Sequence, residues 1–135
     1  MSKAYVLDSF AILALLGHET GSDIVLQTLR QAQADEVGAF MTWINVGEVA
    51  YIVERRWGKG RVYQVLGTLE ATKIKIFPVN RTLTLAAAHI KAQYPLAYAD
   101  AFAAALAMQE NAQLLTGDPE FEILEEHLEI QWLNQ

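Results

Sequence analysis

The apolar residues of this chain form short compact runs, separated by longer stretches in which apolar residues recur at helical spacing. The compact runs predict strands at residues 5–7, 37–41, 74–79, 113–117 and 128–133. The helical spacing predicts helices at residues 9–16, 19–35, 43–57, 61–73, 80–93 and 99–111, then a short one at 119–126. Gly58 and Gly60 are expected to separate the third and fourth helices. Because strands and helices alternate throughout, the pattern predicts an α/β sandwich with a mostly parallel sheet.

Two acids, Asp100 and Asp118, bound the last predicted helix and the strand after it. A helix over residues 99–111 is about 20 Å long, and five extended residues return the chain by about 16 Å. Asp100 and Asp118 are therefore expected at the same edge of the sheet. Each also has a simple structural explanation. Asp100 suits the positive end of a helix dipole, and Asp118 before Pro119 suits a helix N-cap.

Two further acids are predicted at this edge, because the carboxyl ends of parallel strands are where ligands collect. Asp8 directly follows the first strand, and Glu48 lies about two turns into the helix that leaves the second strand. Asp8 could serve only as an N-cap. For Glu48 the alternative is an exposed polar stripe with Asn45 and Arg55. The apolar residues around Glu48 disfavour that alternative, since little of its helix is free to face water.

Four carboxylates at one edge indicate a metal site. Two carboxylates about 5 Å apart repel by about 3 kcal/mol at an effective dielectric constant near 20, and a hard divalent cation removes that cost. Oxygen-only ligands favour Mg²⁺ or Mn²⁺ over zinc. The chain has no cysteine, and its three histidines are far apart in the sequence, at His18, His89 and His127. Such a site is typical of phosphodiester hydrolysis.

Two hydroxyl groups flank the acids. Ser9 follows Asp8, and Thr116 precedes Asp118 by two residues. Either hydroxyl could hold a water molecule or a phosphate oxygen, and either could instead cap a turn.

The overall charge does not favour a polyanionic partner. The net charge is −6, so binding to nucleic acid would need a local basic patch. Four of the ten cationic residues lie within seven positions, at Arg55, Arg56, Lys59 and Arg61. They are candidates for phosphate contacts. The alternative is a solvated helix end, where cations are favoured by the helix dipole.

Length and composition indicate one globular domain over residues 1–135. At 53% hydrophobic residues the chain is not intrinsically disordered. No apolar run approaches 18 residues and no signal segment is evident, so a cytoplasmic protein without membrane association is expected. Three aromatic residues, Trp43, Trp57 and Tyr63, are candidates for exposed contacts or for the core.

The motifs that carry the acids resemble those of a PIN domain, most closely the VapC-type toxins of bacterial and archaeal toxin–antitoxin pairs. They are LDS at residues 7–9, the helix that contains Glu48, YADA at 98–101 and LTGDPEF at 115–121. The resemblance extends from residue 5 to the final strand. The last motif of the family often has an aspartate two residues after its first acid, where this chain has Glu120.

The resemblance implies a three-layer α/β/α sandwich around a parallel five-stranded sheet. It also implies a Mg²⁺- or Mn²⁺-dependent ribonuclease for single-stranded RNA, which forms a homodimer and binds a small antitoxin protein at its groove. The implied metal-binding and catalytic acids are Asp8, Glu48, Asp100 and Asp118, and Thr116 is the hydroxyl beside them. PIN domains also occur in RNA-processing nucleases, so a processing role is an alternative to a toxin.

Other functions are weighed on the same residues. A non-catalytic protein-binding module is the alternative in which the acids are only caps. A phosphatase of the haloacid dehalogenase type needs a second aspartate two residues after Asp8, where this chain has Phe10. A receiver-type phospho-switch needs an aspartate after the third strand, and residues 77–80 contain none.

Overall fold

The computed structural model describes residues 3–134 and contains one five-stranded sheet. The strands are β1 Ala4–Leu7, β2 Gly38–Thr42, β3 Lys75–Phe77, β4 Gln113–Thr116 and β5 Ile130–Trp132. Every neighbouring pair is parallel, and the order across the sheet is β3-β2-β1-β4-β5. The chain therefore leaves the central strand β1 toward one side of the sheet and later returns to build the other side from β4. Crevices at such a reversal of strand order are the usual binding sites of open parallel sheets.

Helices cover both faces of this sheet. They are α1 Ser9–Leu16, α2 Ser22–Gln33, α3 Trp43–Trp57, α4 Lys59–Ala71, α5 Arg81–Gln93, α6 Tyr98–Gln109 and a 3-10 helix at Pro119–Leu124. One apolar core joins the sheet to α1, α2, α3 and α4, and a second joins it to α5, α6 and the 3-10 helix. The predicted three-layer α/β/α sandwich is confirmed, and the sheet is parallel throughout.

Local sequence explains why helices start at the carboxyl edge of the sheet. The side chain of Asp8 accepts a hydrogen bond from the backbone N–H of Ala11, and Thr42 accepts one from that of Asn45. Both residues have extended backbone, so each ends a strand and caps the next helix. α1 and α3 therefore begin directly at the ends of β1 and β2.

Half of the residues of helix α6 are alanines, and this lets it lie in the centre of its layer. Five alanines on it are buried, at positions 101, 103, 104, 105 and 107. α6 contacts α5 and α3 and also the three central strands. Alanine keeps the backbone close to these neighbours and favours the helix itself. This packing fixes the position of Asp100 in the first turn.

Some boundaries differ from the sequence prediction. Only Gly58, with a φ of +89°, interrupts the chain between α3 and α4, whereas Gly60 lies inside α4. α2 begins at Ser22, later than predicted, because Gly21 with a φ of +88° precedes it and lies against Leu133. A β-carbon at position 21 would come within 2.5 Å of the Leu133 side chain. Among residues 3–134, no helix is long and apolar enough to cross a membrane.

Candidate functional site

Three carboxylates converge at the carboxyl edge of the sheet. Asp100, Asp118 and Glu120 each offer one oxygen atom, and these atoms lie within 4.8 Å of one another. Asp100 is 7% exposed, Asp118 is half-buried and Glu120 faces solvent. The group is therefore closed on the protein side and open to an incoming ligand. Glu120 was not among the four acids predicted for the site, and the available signal was its place two residues after Asp118.

Asp8 is buried beside this group and is held by two hydrogen bonds. Its Oδ1 accepts from the backbone N–H of Ala11 at 2.9 Å, and its Oδ2 accepts from the Thr116 hydroxyl at 2.5 Å. Burial raises the pKa of Asp8 to about 7, although both hydrogen bonds act to lower it. Repulsion from Asp118 and Glu48 adds to the increase. Asp8 is thus a helix cap that also lies within electrostatic reach of the other acids.

The pKa of Asp100 is raised to about 7 as well. Burial is the largest cause, followed by repulsion from four other carboxylates, those of Asp118, Glu48, Asp8 and Glu120. None of these influences lowers the pKa. The electrostatic coupling places all five acids in one cluster, which we call the acidic cluster. Without a cation, this cluster retains protons near neutral pH.

Both flanking hydroxyls are bound to acids. The Ser9 hydroxyl donates to Glu48 Oε1 at 2.5 Å and thereby joins α1 to α3 across 39 residues of sequence. Thr116 donates to Asp8 and accepts from the backbone N–H of Asp118 at 3.0 Å. Thr116 therefore stabilises the turn before Asp118, one of its two predicted roles, and also holds the Asp8 carboxylate.

Asp118 also has two roles. Its Oδ1 accepts from the backbone N–H of Glu120 at 3.0 Å, so it caps the 3-10 helix as its position before Pro119 predicts. The same side chain reaches the acidic cluster. Capping orients the carboxylate and leaves its second oxygen free of this bond.

Asn45 links the helix of Glu48 to the helix of Asp100. The side chain is fully buried, accepts from the Thr42 hydroxyl at 2.6 Å and donates from Nδ2 to the Ala99 carbonyl oxygen at 3.1 Å. The alternative prediction, an exposed polar stripe of Asn45, Glu48 and Arg55, is therefore wrong for Asn45. The residue instead holds the first turns of α3 and α6 together, which sets the separation of their acids.

The chemistry of the acidic cluster fits a hard divalent cation. All its donors are carboxylate oxygens, and several cluster members are buried enough for their mutual repulsion to be costly. The histidines lie elsewhere. His89 contacts Gln93 at 3.0 Å, His127 packs 6.0 Å from the Tyr94 ring, and His18 is an exposed residue after α1. Zinc, which recruits nitrogen or sulfur ligands, is disfavoured by this donor set.

The four predicted cations lie away from the acidic cluster, where α3 ends and α4 begins. All are exposed. The Arg55 guanidinium lies 5.0 Å from the Tyr51 ring centre, and that of Arg56 lies 6.0 Å from the Trp57 ring. Arg55 is seven residues, or about 10 Å, further along α3 than Glu48. The patch is thus adjacent to the cluster without being part of it.

A surface cavity of about 670 Å³ lies at the opposite edge of the sheet. It is bordered by Lys3, Gln113 and the segment after the 3-10 helix, including Glu125 and Glu129. The titratable groups whose pKa is perturbed are all at the other edge. The position of the acidic cluster, not the cavity volume, therefore marks the candidate site.

Comparison with known proteins agrees with this fold. No curated protein sequence matches the chain. Among solved structures, DNA-bound VapBC from Salmonella typhimurium superposes with a TM-score of 0.75 at 16% identity, over 98% of this chain and 99% of that one. VapBC2 from Rickettsia felis, bound to a DNA fragment from its promoter, gives a TM-score of 0.74 at 18% identity, over 95% and 97%.

A third relative, the sarcin–ricin loop cleaving toxin VapC20 from Mycobacterium tuberculosis, gives a TM-score of 0.68 at 13% identity, over 93% of this chain and 96% of that one. At such identities the superpositions establish the fold alone. The sequence itself matches the model of the PIN domain family over residues 5–126. Because that match spans most of its length, the chain belongs to the PIN domain family.

Proposed function

We propose that this protein is a Mg²⁺- or Mn²⁺-dependent endoribonuclease that hydrolyses phosphodiester bonds of single-stranded RNA. The observation that carries the proposal is the convergence of five acids, without histidine, at the carboxyl edge of a parallel sheet. Two of them, Asp8 and Asp100, have pKa values raised to about 7. Groups with strongly perturbed pKa values in a cleft are typical of functional sites. The toxin structures that share the fold support the same activity.

The residues have separate roles in this proposal. Asp100 and Asp118, whose carboxylate oxygens converge with that of Glu120, would hold the cation together with Asp8 and Glu48. Thr116 orients Asp8, and Ser9 orients Glu48. A bound divalent cation lowers the pKa of a bound water and stabilises charge on the attacking and leaving oxygens. Asp8 and Asp100 retain protons near neutral pH and would have to release them to hold a cation, so we expect cation affinity to increase with pH.

The test is cleavage of a labelled single-stranded RNA in Mg²⁺ and in EDTA. We expect Asp100→Asn and Asp8→Asn to reduce the rate by at least about 100-fold, because each removes a charge from the cluster. Glu125→Gln is the matched control, since Glu125 is an exposed acid at the opposite edge of the sheet. Unchanged cleavage by either aspartate variant contradicts the assignment.

A non-catalytic module remains the second candidate, because Asp8 and Asp118 are both observed as helix caps. Caps alone do not explain Asp100 and Glu48, which cap no helix: Glu48 raises the pKa of both Asp8 and Asp100, and the pKa of Asp100 is raised by four other acids. Calorimetry with Mn²⁺ separates the two. Saturable binding supports the nuclease, and no heat at millimolar Mn²⁺ supports the inert module.

We further propose that the protein is the toxin of a toxin–antitoxin pair in the cytoplasm, acts as a homodimer and is inhibited by a small antitoxin. The solved VapBC and toxin–antitoxin structures of the same fold support the antitoxin partner. Induced expression without the antitoxin is expected to stop growth, and Asp100→Asn is expected to relieve the arrest. Growth that continues with active enzyme in the cell favours an RNA-processing role instead.

The basic patch formed by Arg55, Arg56, Lys59 and Arg61 is proposed to bind RNA phosphates. Neutralising two of its members is expected to raise KM and to reduce the salt dependence of RNA binding, because fewer counterions are released. Arg30→Gln is the control, since Arg30 is an exposed cation near the end of another helix, α2. Equal salt dependence in all variants contradicts the role of the patch.

A further inference from the structure

Three exposed aromatic rings stand around the acidic cluster. Phe10 is 41% exposed, and Trp43 and Tyr98 are each 44% exposed. Each lies in the first turn of a helix that supplies or follows an acid: α1 after Asp8, α3 before Glu48 and α6 before Asp100. All three first turns are at the carboxyl edge of the sheet. We call these three side chains the aromatic rim.

Hydrogen bonds hold the three first turns side by side. The bond from Ser9 to Glu48 joins α1 to α3, and the bond from Asn45 to the Ala99 carbonyl joins α3 to α6. The rim therefore belongs to the same rigid unit as the acids. Separating the helices that carry the rings would break these two partly buried bonds.

Two of the rings have defined packing contacts. The Phe10 ring lies over Gly117, where a β-carbon would come within 2.4 Å of ring carbon Cε1, so only glycine leaves room for this position. Gly117 is also the residue between Thr116 and Asp118. The Tyr98 ring packs against Phe102 with its centre 5.0 Å away and keeps its other side in solvent. Phe10 thus lies against the residue that precedes Asp118, and Tyr98 lies in the same helical turn as Asp100.

The negative charge of the acidic cluster limits which kinds of molecule can bind over the aromatic rim. An apolar protein surface would bury Asp118 and Glu120 without a counter-charge, which is costly. An unpaired nucleic acid strand brings phosphates to the cation-loaded acids and places bases on the rings. In a duplex the base faces are already stacked, whereas in a single strand they are free to stack on aromatic side chains.

We propose that Phe10, Trp43 and Tyr98 form stacking positions for unpaired bases of RNA on both sides of the cleaved phosphodiester bond. The inference rests on the proposed nuclease function and extends it from the acids to the bases. It gives the preference for single strands a physical origin in this chain, because paired bases present no free face to the rim.

The first test compares leucine with aromatic replacements in cleavage of a short unpaired RNA. Phe10→Leu and Tyr98→Leu are expected to raise KM by about 5- to 50-fold with kcat within about twofold, whereas Phe10→Tyr and Tyr98→Phe retain the wild-type KM. The same comparison on a paired RNA of equal length is expected to show no difference between leucine and aromatic variants. Leu85→Ala is the control, since Leu85 is an exposed apolar residue on α5 away from the rim.

The second test needs no cleavage. Titrating an unpaired oligonucleotide into the Asp100→Asn protein is expected to quench tryptophan fluorescence through stacking on Trp43. The quenching should disappear in Trp43→Phe and persist in Trp57→Phe, which removes an exposed tryptophan at the far end of α3. If there is no quenching up to about millimolar oligonucleotide, the proposal that the aromatic rim stacks bases is overturned, whether or not the protein is a nuclease.

The two proposals fail in different ways. If wild-type protein cleaves RNA while both leucine variants keep the wild-type KM, the rim proposal is wrong and the nuclease stands. If the leucine variants leave KM unchanged but alter the mass in analytical ultracentrifugation, the rim is a protein interface and the proposal is also overturned. If the wild type cleaves nothing, the nuclease fails, and the fluorescence titration alone decides on the rim.

Discussion

Replacing Asp100 by asparagine is expected to stabilise the metal-free protein at neutral pH while it removes cation binding. The folded-state pKa of Asp100 is about 7, against an ordinary value of 3.8. The native state therefore retains a proton that the unfolded chain has already released. Stability from this group is fully present below pH 3.8 and is lost as the pH rises toward 7, by about 1.4 kcal/mol per pH unit. Above pH 7 the loss levels off.

The magnitude follows from that slope. Between pH 5 and pH 8, Asp100 alone lowers the free energy of unfolding by about 3 kcal/mol, and Asp8 with a similar pKa contributes a comparable amount. Asparagine has no charge to bury, so the variant should show about half of the wild-type dependence on pH. At pH 8 the whole shift from 3.8 to about 7 counts against the wild type, so the variant should be more stable by about 4 kcal/mol.

Urea unfolding in EDTA at pH 5, 6, 7 and 8 measures this directly. Adding millimolar Mn²⁺ at pH 8 should stabilise the wild type by binding only the native state, and should leave the variant nearly unchanged. Glu125→Gln serves as the control for loss of an acid outside the cluster. An Asp100→Asn protein that is less stable than the wild type at pH 8, with the same dependence on pH, refutes the reasoning.

Three further substitutions test the framework of the site. Thr116→Val removes the donor to Asp8 and the acceptor of the Asp118 N–H. We therefore expect it to destabilise the protein by about 2–3 kcal/mol in urea and to slow RNA cleavage. The control, Thr68→Val at an exposed helical site, is expected to cost under about 0.5 kcal/mol. Asn45→Ala removes the acceptor of the buried Thr42 hydroxyl and the donor to the Ala99 carbonyl; it should cost about 2–3 kcal/mol and weaken Mn²⁺ binding in calorimetry, which a purely local defect would not do. Ala104→Leu overpacks α6 and should lower stability by about 1–3 kcal/mol in thermal unfolding.

The sequence predicted most of the fold because local signals decide it. The run at residues 5–7 followed by an aspartate is both strand end and helix cap, and the structure has Asp8 in that place. Thr42 acts the same way between β2 and α3. The alternation of strands and helices along the chain then predicts parallel strand pairing. The position of Asp8 and Asp118 at the same edge of the sheet was therefore predictable from the sequence.

Long-range contacts within the site were beyond sequence reasoning. The Ser9–Glu48 bond spans 39 residues, and the Asn45–Ala99 bond spans 54. No local preference selects these partners, because each pairing depends on how three helices pack. For this reason the sequence could not exclude an exposed stripe containing Asn45, which the structure does. Glu120 was noted in its motif, but its proximity to Asp100 depends on the return of β4 beside α6.

The sequence also did not show which aromatic residues are exposed and which are buried. Trp43, Trp57 and Tyr63 were left between surface contact and core, and all three are exposed. Helical spacing does not separate the outer face of a helix from its buried face when aromatic residues occur on both. Tertiary packing makes this choice, since α3 buries Val46, Val49 and Val53 instead.

The most direct test of the central claim is the rate of single-stranded RNA cleavage as a function of Mn²⁺ concentration. We expect no cleavage in EDTA and a saturable increase of the cleavage rate with Mn²⁺. We also expect Asp118→Asn to shift the dependence of the rate on Mn²⁺ to at least about tenfold higher concentration, whereas Glu125→Gln leaves it unchanged. A cleavage rate that is independent of Mn²⁺, or a curve that Asp118→Asn does not move, contradicts the assignment of the acidic cluster as the metal-dependent nuclease site.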